Sequence, residues 1–439
     1  MHCMPSMNGG CLQRLRLSIC LVRRTVHEPR QSSSTLADIL YPMRVSEFMR
    51  DFAFTRAVRL GACENKLSRL LSGFQVNDAI TSCLAADGQV KLAHQGQVLS
   101  TRDVARIREG VASGATLIVE DADHYDRRLG SVIDRLTGEL VAPCRMNLYR
   151  SVPGQEGYQI HYDTHDIFVL QLGGFKRWQV YANTVDWPLF HQKTHPVEPP
   201  GEGEVPYLTC ELGPGDVLYV PKGHWHVAEA LEGSVAGVAA EHLTLAMFLR
   251  TGLDFLTWFV GELREDARVR QTLPILHVAP GVARTEEDVA SWKTALKCVV
   301  DSLVEGFDAM PDSLVRDFMA DSVIAKPPRF PEWKPPAIFS ATQLLQLASQ
   351  IVVTRSTAPT CSFRQEGKLR IYFGDKVLEL DAKYQRIAER LLSESGARTV
   401  ADLFGLEEVS DAEVAKVVRL LSVEGLVQLA PHSREAPAR

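Results

Sequence analysis

Residues 158–181 read YQIHYDTHDIFVLQLGGFKRWQVY, and the alternation inside this stretch decides the kind of fold the chain adopts. His161 and Asp163 are two apart, so on an extended strand both side chains leave the same face. Residues 168–172 read as an apolar strand, Gly173 and Gly174 as a turn, and residues 175–181 as a returning strand, the pattern of a hairpin. On the returning strand Lys176, Trp178 and Val180 share one face, while Arg177, Gln179 and Tyr181 take the other. A lysine aligned with Trp and Val is expected to point into a core, the alternative being a side chain that snorkels out along a sheet edge. A buried ammonium costs several kcal/mol unless an anion meets it. No acid lies on this hairpin, whereas a bound dicarboxylate would serve.

Strands continue on both sides of that stretch. Residues 146–151, 160–162, 207–212, 216–220 and 226–230 read as short strands between Gly and Pro signals, with 242–244 the last. Many short strands separated by turns predict a barrel or a double-sheet jelly roll. Residues 196–206, rich in Pro, Gly and Glu, form a loop inserted in that sheet. Upstream, helices are expected over 36–54, 102–113 and 127–140, with a strand at 115–119. Downstream, helices are expected over 245–263, 286–306 and 312–319, before a Pro-rich break at 327–336. The tail reads as a helix (341–351), two strands (361–364, 369–373), helices (382–395, 400–404, 411–424) and a strand (426–429). That order is a winged-helix pattern.

Composition narrows the classes of function. The chain has 439 residues, 45% hydrophobic and 23% charged, with a formal charge of −6. Such a balance is ordinary for a globular protein of two or three domains, and gives no case for a nucleic-acid or membrane-surface binder. The nine cysteines are scattered and never form a CxxC pair, which argues against a zinc ribbon or a disulfide framework and for a reducing cytoplasm. The longest apolar stretch, 243–260, carries Arg250 and Asp254 and does not read as a membrane span. Residues 1–34 are expected as a disordered leader, or as the product of a start codon set too far upstream, rather than a secretory signal.

An imidazole and a carboxylate on one strand face are two thirds of a facial triad for non-haem Fe(II), which needs a second histidine. HxD alone is weak: a chain with 13 histidines contains roughly one by accident. A second copy, His124–Tyr125–Asp126, sits among charged residues just before a helix, where a cap explains it. The missing ligand belongs on a later strand. Residues 212–226, LGPGDVLYVPKGHWH, place His224 and His226 two apart, and alternation does not choose between them.

The order HxD, a basic residue fifteen on, then PGDVLYVPxGxxH resembles the JmjC family of Fe(II)- and 2-oxoglutarate-dependent oxygenases. Within it the chain is most similar to the ribosomal oxygenase branch, which hydroxylates protein side chains. The phrases that carry the likeness are GATLIVEDADHYDRRL, NLYRSVPG, HYDTHDIFVLQLGGFKRW and GPGDVLYVPKGHWH. The likeness runs from about residue 36 to the C-terminus and is specific over 114–244. It implies an α+β chain with a double-stranded β-helix (jelly-roll, cupin) core, a helical dimerisation region and a C-terminal winged-helix domain. It implies His161, Asp163 and His226 as iron ligands and Lys176 as the holder of the far carboxylate of 2-oxoglutarate. Asn147 and Ser151 match positions that help bind this cosubstrate. His165 and His242 are candidates for groups around the metal.

The division that follows is a leader (1–34), an oxygenase domain with N-terminal helices (35–244), a helical dimerisation region (245–335) and a winged-helix-like domain (336–439). The expected activity is hydroxylation of a protein side chain, a ribosomal protein being favoured, with O₂ consumed and 2-oxoglutarate converted to succinate and CO₂. A ribosomally made precursor peptide is the alternative substrate, and a non-catalytic cupin scaffold or sensor is the alternative class. The tail's last helix, with Lys416 and Arg419 against Asp411, Glu413 and Glu424, offers little to phosphates. A homodimer with a protein or peptide substrate is expected, without membrane or nucleic-acid partners.

Overall fold

The chain enters the fold through two short helices, α1 (Thr35–Leu40) and α2 (Val45–Asp51), not one helix over 36–54. Pro42 falls between them, and a proline lacks the N–H that a helix interior uses. This computed structural model describes residues 34–431 except 63–65, 154–157, 191, 193–197, 202, 233–238, 274–284, 325–338, 357–358, 366, 375, 393–396 and 407–408. The expected leader (all but residue 34), residues 196, 197 and 202 of the inserted loop and the Pro-rich break at 327–336 lie outside the described residues. The inserted loop is described over 198–201 and 203–206, without helix or strand.

Next come β1 (Val58–Leu60), α3 (Lys66–Leu70), α4 (Val76–Ala85) and a hairpin of β2 (Val90–His94) with β3 (Gln97–Thr101). Strand β3 leaves Val98 and Leu99 in solvent, so its pattern carries no inward face to read. Helix α5 (Val104–Ala112), strand β4 (Thr116–Val119) and helix α6 (Arg127–Leu140) follow where the periodicity predicts them. The second HxD has the bland role expected of it: the Asp126 carboxylate accepts from Arg128 and Leu129 N–H and caps α6.

The strands that follow are β5 (Cys144–Ser151), β6 (His161–Tyr162), β7 (Asp166–Gly173), β8 (Phe175–Asn183), β9 (Leu208–Leu212), β10 (Val217–Val220), β11 (His224–Leu231) and β12 (Ala240–Met247). They form two antiparallel sheets, ordered β1-β10-β7-β12-β5-β4-β2-β3 and β6-β11-β8-β9. One core joins the sheets: Ile167 and Val169 of β7 and Leu218 and Val220 of β10 meet Trp178 and Val180 of β8. The opposite faces of the same strands, with Phe168, Leu170, Val217 and Tyr219, pack with Leu129, Ile133 and Leu136 of α6 in a second core. Two facing sheets of this kind are the expected double-stranded β-helix, with helices packed on its larger sheet.

The hairpin expected at Gly173–Gly174 does not form. Strand β7 pairs with β10 and β12, whereas β8 pairs with β9 and β11, so the two glycines carry the chain from one sheet to the other. Gly174 has φ +59°, and a Cβ there would lie 2.7 Å from Ala240 Cα. The same glycine pair suits a tight return or a sheet change, and local sequence does not separate them. On β8, Lys176, Trp178 and Val180 do face inward, as the alternation predicts.

Strand β12 runs to Met247, past the expected boundary at 244. The next helix, α7 (Gly252–Glu262), starts only at the capping box of Thr251 and Asp254. Helices α8 (Glu286–Asp308) and α9 (Asp312–Ile324) complete this region. Among the described residues no helix is long and apolar enough to cross a membrane.

The tail has its own core around Ile371, Ile387, Val414 and Val418. Helix α10 (Ala341–Gln346) stops short of 351, where β13 (Ile351–Arg355) begins. Strands β14 (Thr360–Gln365), β15 (Lys368–Phe373) and β16 (Lys376–Asp381) make one sheet. The helix expected over 382–395 is a short 3-10 turn leading into α11 (Gln385–Leu392). Then come β17 (Arg398–Thr399), a 3-10 turn at Val400–Leu403, α12 (Asp411–Val423) and β18 (Val427–Pro431). The second tail sheet is ordered β17-β13-β18.

Candidate metal centre

Cross-strand register builds the centre. In the antiparallel pair β6–β11, His161 lies directly opposite His226, and their rings stand 4.5 Å apart. Asp163, two residues on, has a carboxylate oxygen 3.6 Å from His226 Nε2. One ligand atom from each of the three lies within 4.8 Å of the others. Two imidazoles and one carboxylate in that space are a donor set for a divalent transition metal.

The backbone sets both tautomers. His161 Nδ1 is 2.9 Å from Gln159 O, and His226 Nδ1 is 3.0 Å from His224 O. A carbonyl only accepts, so each Nδ1 carries the proton and each Nε2 keeps a free lone pair. Burial, helped by the neighbouring His161, pushes His226 down to about 4 and keeps it neutral. Burial by itself raises Asp163, but His165, His226 and His161 around it prevail and hold it below the usual carboxylate range.

The choice between His224 and His226 rests on a bulge. The β8–β11 register shifts between them, so strict alternation fails at this point of β11. His224 turns to Tyr207, whose hydroxyl is 2.7 Å from its Nδ1. Only His226 joins the triad.

A cavity of about 420 Å³ opens on these residues and extends to Lys176. Lys176 is buried, and its Nζ donates to Ser151 Oγ at 2.8 Å; Thr116 Oγ1 lies 3.0 Å from the same serine oxygen. Among the described residues no carboxylate pairs with this ammonium, and burial pulls its pKa down to about 7. Asn147 lines the same cavity. Its Oδ1 accepts the Asp121 N–H at 2.9 Å, and its side chain also hydrogen-bonds Tyr149. His165 and His242 line the cavity as well.

Lys176 and Ser151 therefore meet directly, and the remaining expected residues surround one space. Tyr149, Tyr158, Thr116, Thr244 and Phe190 also line it without having been singled out from sequence. For Tyr149 a signal existed, since it stands two residues from both Asn147 and Ser151 on β5. Thr244 carried the same signal, two residues from His242 on β12, whereas Thr116, Tyr158 and Phe190 come from separate parts of the chain that no strand spacing links to the candidates.

Comparison with known proteins agrees with this geometry. A family model described as the JmjC domain matches residues 123–246. Ribosomal oxygenase 2 of Mus musculus is 25% identical over 317 residues, 65% of this chain and 64% of that protein. The bifunctional lysine-specific demethylase and histidyl-hydroxylase NO66 of Culex quinquefasciatus is 28% identical over 189 residues, 40% of this chain and 28% of that one. The chain thus spans less than two thirds of the length of either relative. Among solved structures, the ribosomal oxygenase YcfD from Escherichia coli in complex with cobalt and 2-oxoglutarate shares the fold. It has a TM-score of 0.56 and 16% identity, and the match covers 88% of this chain and 98% of that one. Residues 123–246 match the JmjC domain, and the chain around them is similar in sequence and fold to ribosomal oxygenases.

Proposed function

We propose that this chain is an Fe(II)- and 2-oxoglutarate-dependent oxygenase that hydroxylates a side chain of a protein, a ribosomal protein being the first candidate. The observation that carries the reading is Lys176: a buried ammonium without an anionic partner among the described residues, in the same cavity as the His161–Asp163–His226 cluster. A scaffold or sensor gains nothing from this unmet charge, whereas an anionic cosubstrate completes it.

The residues fit the missing groups. His161 and His226 offer Nε2 lone pairs and Asp163 offers an anionic oxygen, a face of three ligands that leaves three positions of an octahedron open. Iron bound there, with 2-oxoglutarate and O₂, would supply oxidative decarboxylation to succinate and CO₂ and the oxygenation of an unactivated C–H bond. Lys176 and Ser151 bind the far carboxylate, and Asn147 with Tyr149 orients the cosubstrate. Ile167 and Trp178 keep water from the inner wall, while Phe190, 72% exposed at the rim, meets the substrate. The names of the relatives support a protein side chain as that substrate.

The decisive experiment incubates purified protein with Fe(II) and 2-oxoglutarate in air and measures succinate, with and without candidate ribosomal proteins. Succinate that depends on iron, and a mass gain of one oxygen on a substrate, are expected. No succinate under any condition sinks the reading.

The remaining assignments are part of the same proposal. Helices α7 to α9 serve as the dimerisation region, supported by exposed apolar side chains along α7 and α8, among them Leu256, Val260, Val300 and Val304. The tail serves as a winged-helix-like protein-contact module. In support, α12 follows α11 and leads into the sheet β17-β13-β18, and its Glu413 is engaged by Lys383 at 2.6 Å. The reaction runs in the cytoplasm, in keeping with the thiols of Cys83, Cys210, Cys298 and Cys361, which form no disulfide among the described residues.

A further inference from the structure

Resting on that reading of the cavity, we propose that His242 is a specificity residue for the cosubstrate. Its ring closes the Lys176 end of the cavity and gives the far carboxylate of the bound keto-diacid a second nitrogen donor.

His242 is 3% exposed on β12, and its Nδ1 is buried without a hydrogen-bond partner among the described residues. Of the histidines nearby, His161 and His226 each spend Nδ1 on a backbone carbonyl and His224 spends its own on Tyr207, whereas His165, on the same cavity, shares with His242 a buried Nδ1 that has no partner among the described residues. A buried imidazole without a protein partner has to be satisfied by something else. Its orientation is fixed from two sides: the ring stacks on Tyr149 at 4.6 Å and 6°, and Trp178 meets it edge-on at 5.8 Å and 88°. Lys176, Ser151, Thr116 and Thr244 line the same cavity, the first three linked by hydrogen bonds.

Burial and the nearby charge of Lys176 hold His242 well below its ordinary pKa, so the ring is neutral. A neutral imidazole retains one N–H to donate and does not repel the ammonium. Lysine supplies the charge; histidine supplies a donor of fixed direction. Together they distinguish a dicarboxylate from a keto acid with an apolar end.

The test titrates two keto acids into oxygen-free protein loaded with Mn(II) and reads binding by calorimetry. One is 2-oxoglutarate; the other is 2-oxovalerate, which lacks the far carboxylate. In His242→Phe the aromatic stack remains and the nitrogens are gone. Its 2-oxoglutarate affinity is expected to fall about ten- to hundredfold, with 2-oxovalerate and Mn(II) affinity unchanged. His242→Asn, which restores a donor, is expected to recover part of the loss. Unaltered 2-oxoglutarate binding by His242→Phe overturns the proposal, as does an equal loss for both acids. If the wild type binds neither acid, the oxygenase reading falls and this inference with it.

Discussion

The strands that carry the triad and the helices that follow them are both rich in apolar residues, yet only the strands hide them. Residues 166–171 of β7 and all of β10 are buried, because odd positions of β7 meet the second sheet and even positions meet the helical layer. Helix α8 leaves Val289, Leu296, Val300, Val304 and Phe307 exposed, and α7 leaves Leu253, Leu256 and Val260. In the first region the chain supplies both partners of every apolar contact. In the second the pattern shows that a stripe exists without showing what covers it.

The largest expected difference between the two regions is chemical. His226→Ala removes one of the three side chains of the candidate metal centre and should take 2-oxoglutarate turnover to the background rate. Circular dichroism should stay unchanged, because the lost ring faces the cavity. Succinate formation at wild-type rate in this variant would remove His226 from the centre.

A matched pair of truncations tests the packing contrast. Leu170→Ala, at a fully buried site of the larger core, should cost about 2–5 kcal/mol in denaturant unfolding. Val304→Ala, 54% exposed on α8, should stay within about 0.5 kcal/mol at a concentration where the chain is monomeric. Equal costs would mean that α8 is packed as tightly as the strands.

What was legible in the sequence follows the same division. The pairing of His161 with Asp163, Lys176 and the inward face of β8 were readable because strand alternation is local and each residue reports its own face. Alternation left the His224/His226 choice open and only the family likeness pointed to His226; a bulge breaks the alternation there, and cross-strand register sets His226 against His161. The sheet change at Gly173–Gly174 was not readable, because glycine permits a return and a crossing alike. The elements between 58 and 101 stayed unseen for a third reason: they are short, and β3 lies at the sheet edge with four of its five residues exposed.

Lys176 offers a smaller and pH-dependent test of the buried side. Its folded pKa is lowered from 10.5 to about 7 by burial. Between those values the unfolded chain takes up the proton that the folded chain has lost. Stability from this group is therefore full above 10.5 and is lost as pH falls through about 7. Lys176→Met removes the dependence, so its stability advantage over wild type should be greatest near pH 7 and shrink towards pH 10. At its greatest it should be on the order of 2 kcal/mol, once relaxation and water entry are allowed for. A gap that is constant across this range would show that Lys176 stays charged in the folded protein. The same variant should bind 2-oxoglutarate weakly, separating the cost of the charge to folding from its use in binding.

The smallest expected effect on stability is the most direct probe of the exposed stripe. Val300 is 54% exposed and lies four residues from both Leu296 and Val304, so the three share one face of α8. A glutamate there meets water in an isolated chain, and Val300→Glu should change the unfolding free energy of the monomer by no more than about 0.5 kcal/mol. Against a second copy of the same stripe it would bury a carboxylate in an apolar contact, where an unpaired charge is expensive. Sedimentation should then show a wild-type dimer and a monomeric variant, while the monomer's denaturation midpoint barely moves. A wild type that is monomeric at every concentration, or a variant that still dimerises, would break the dimer assignment and leave these helices to cover another partner.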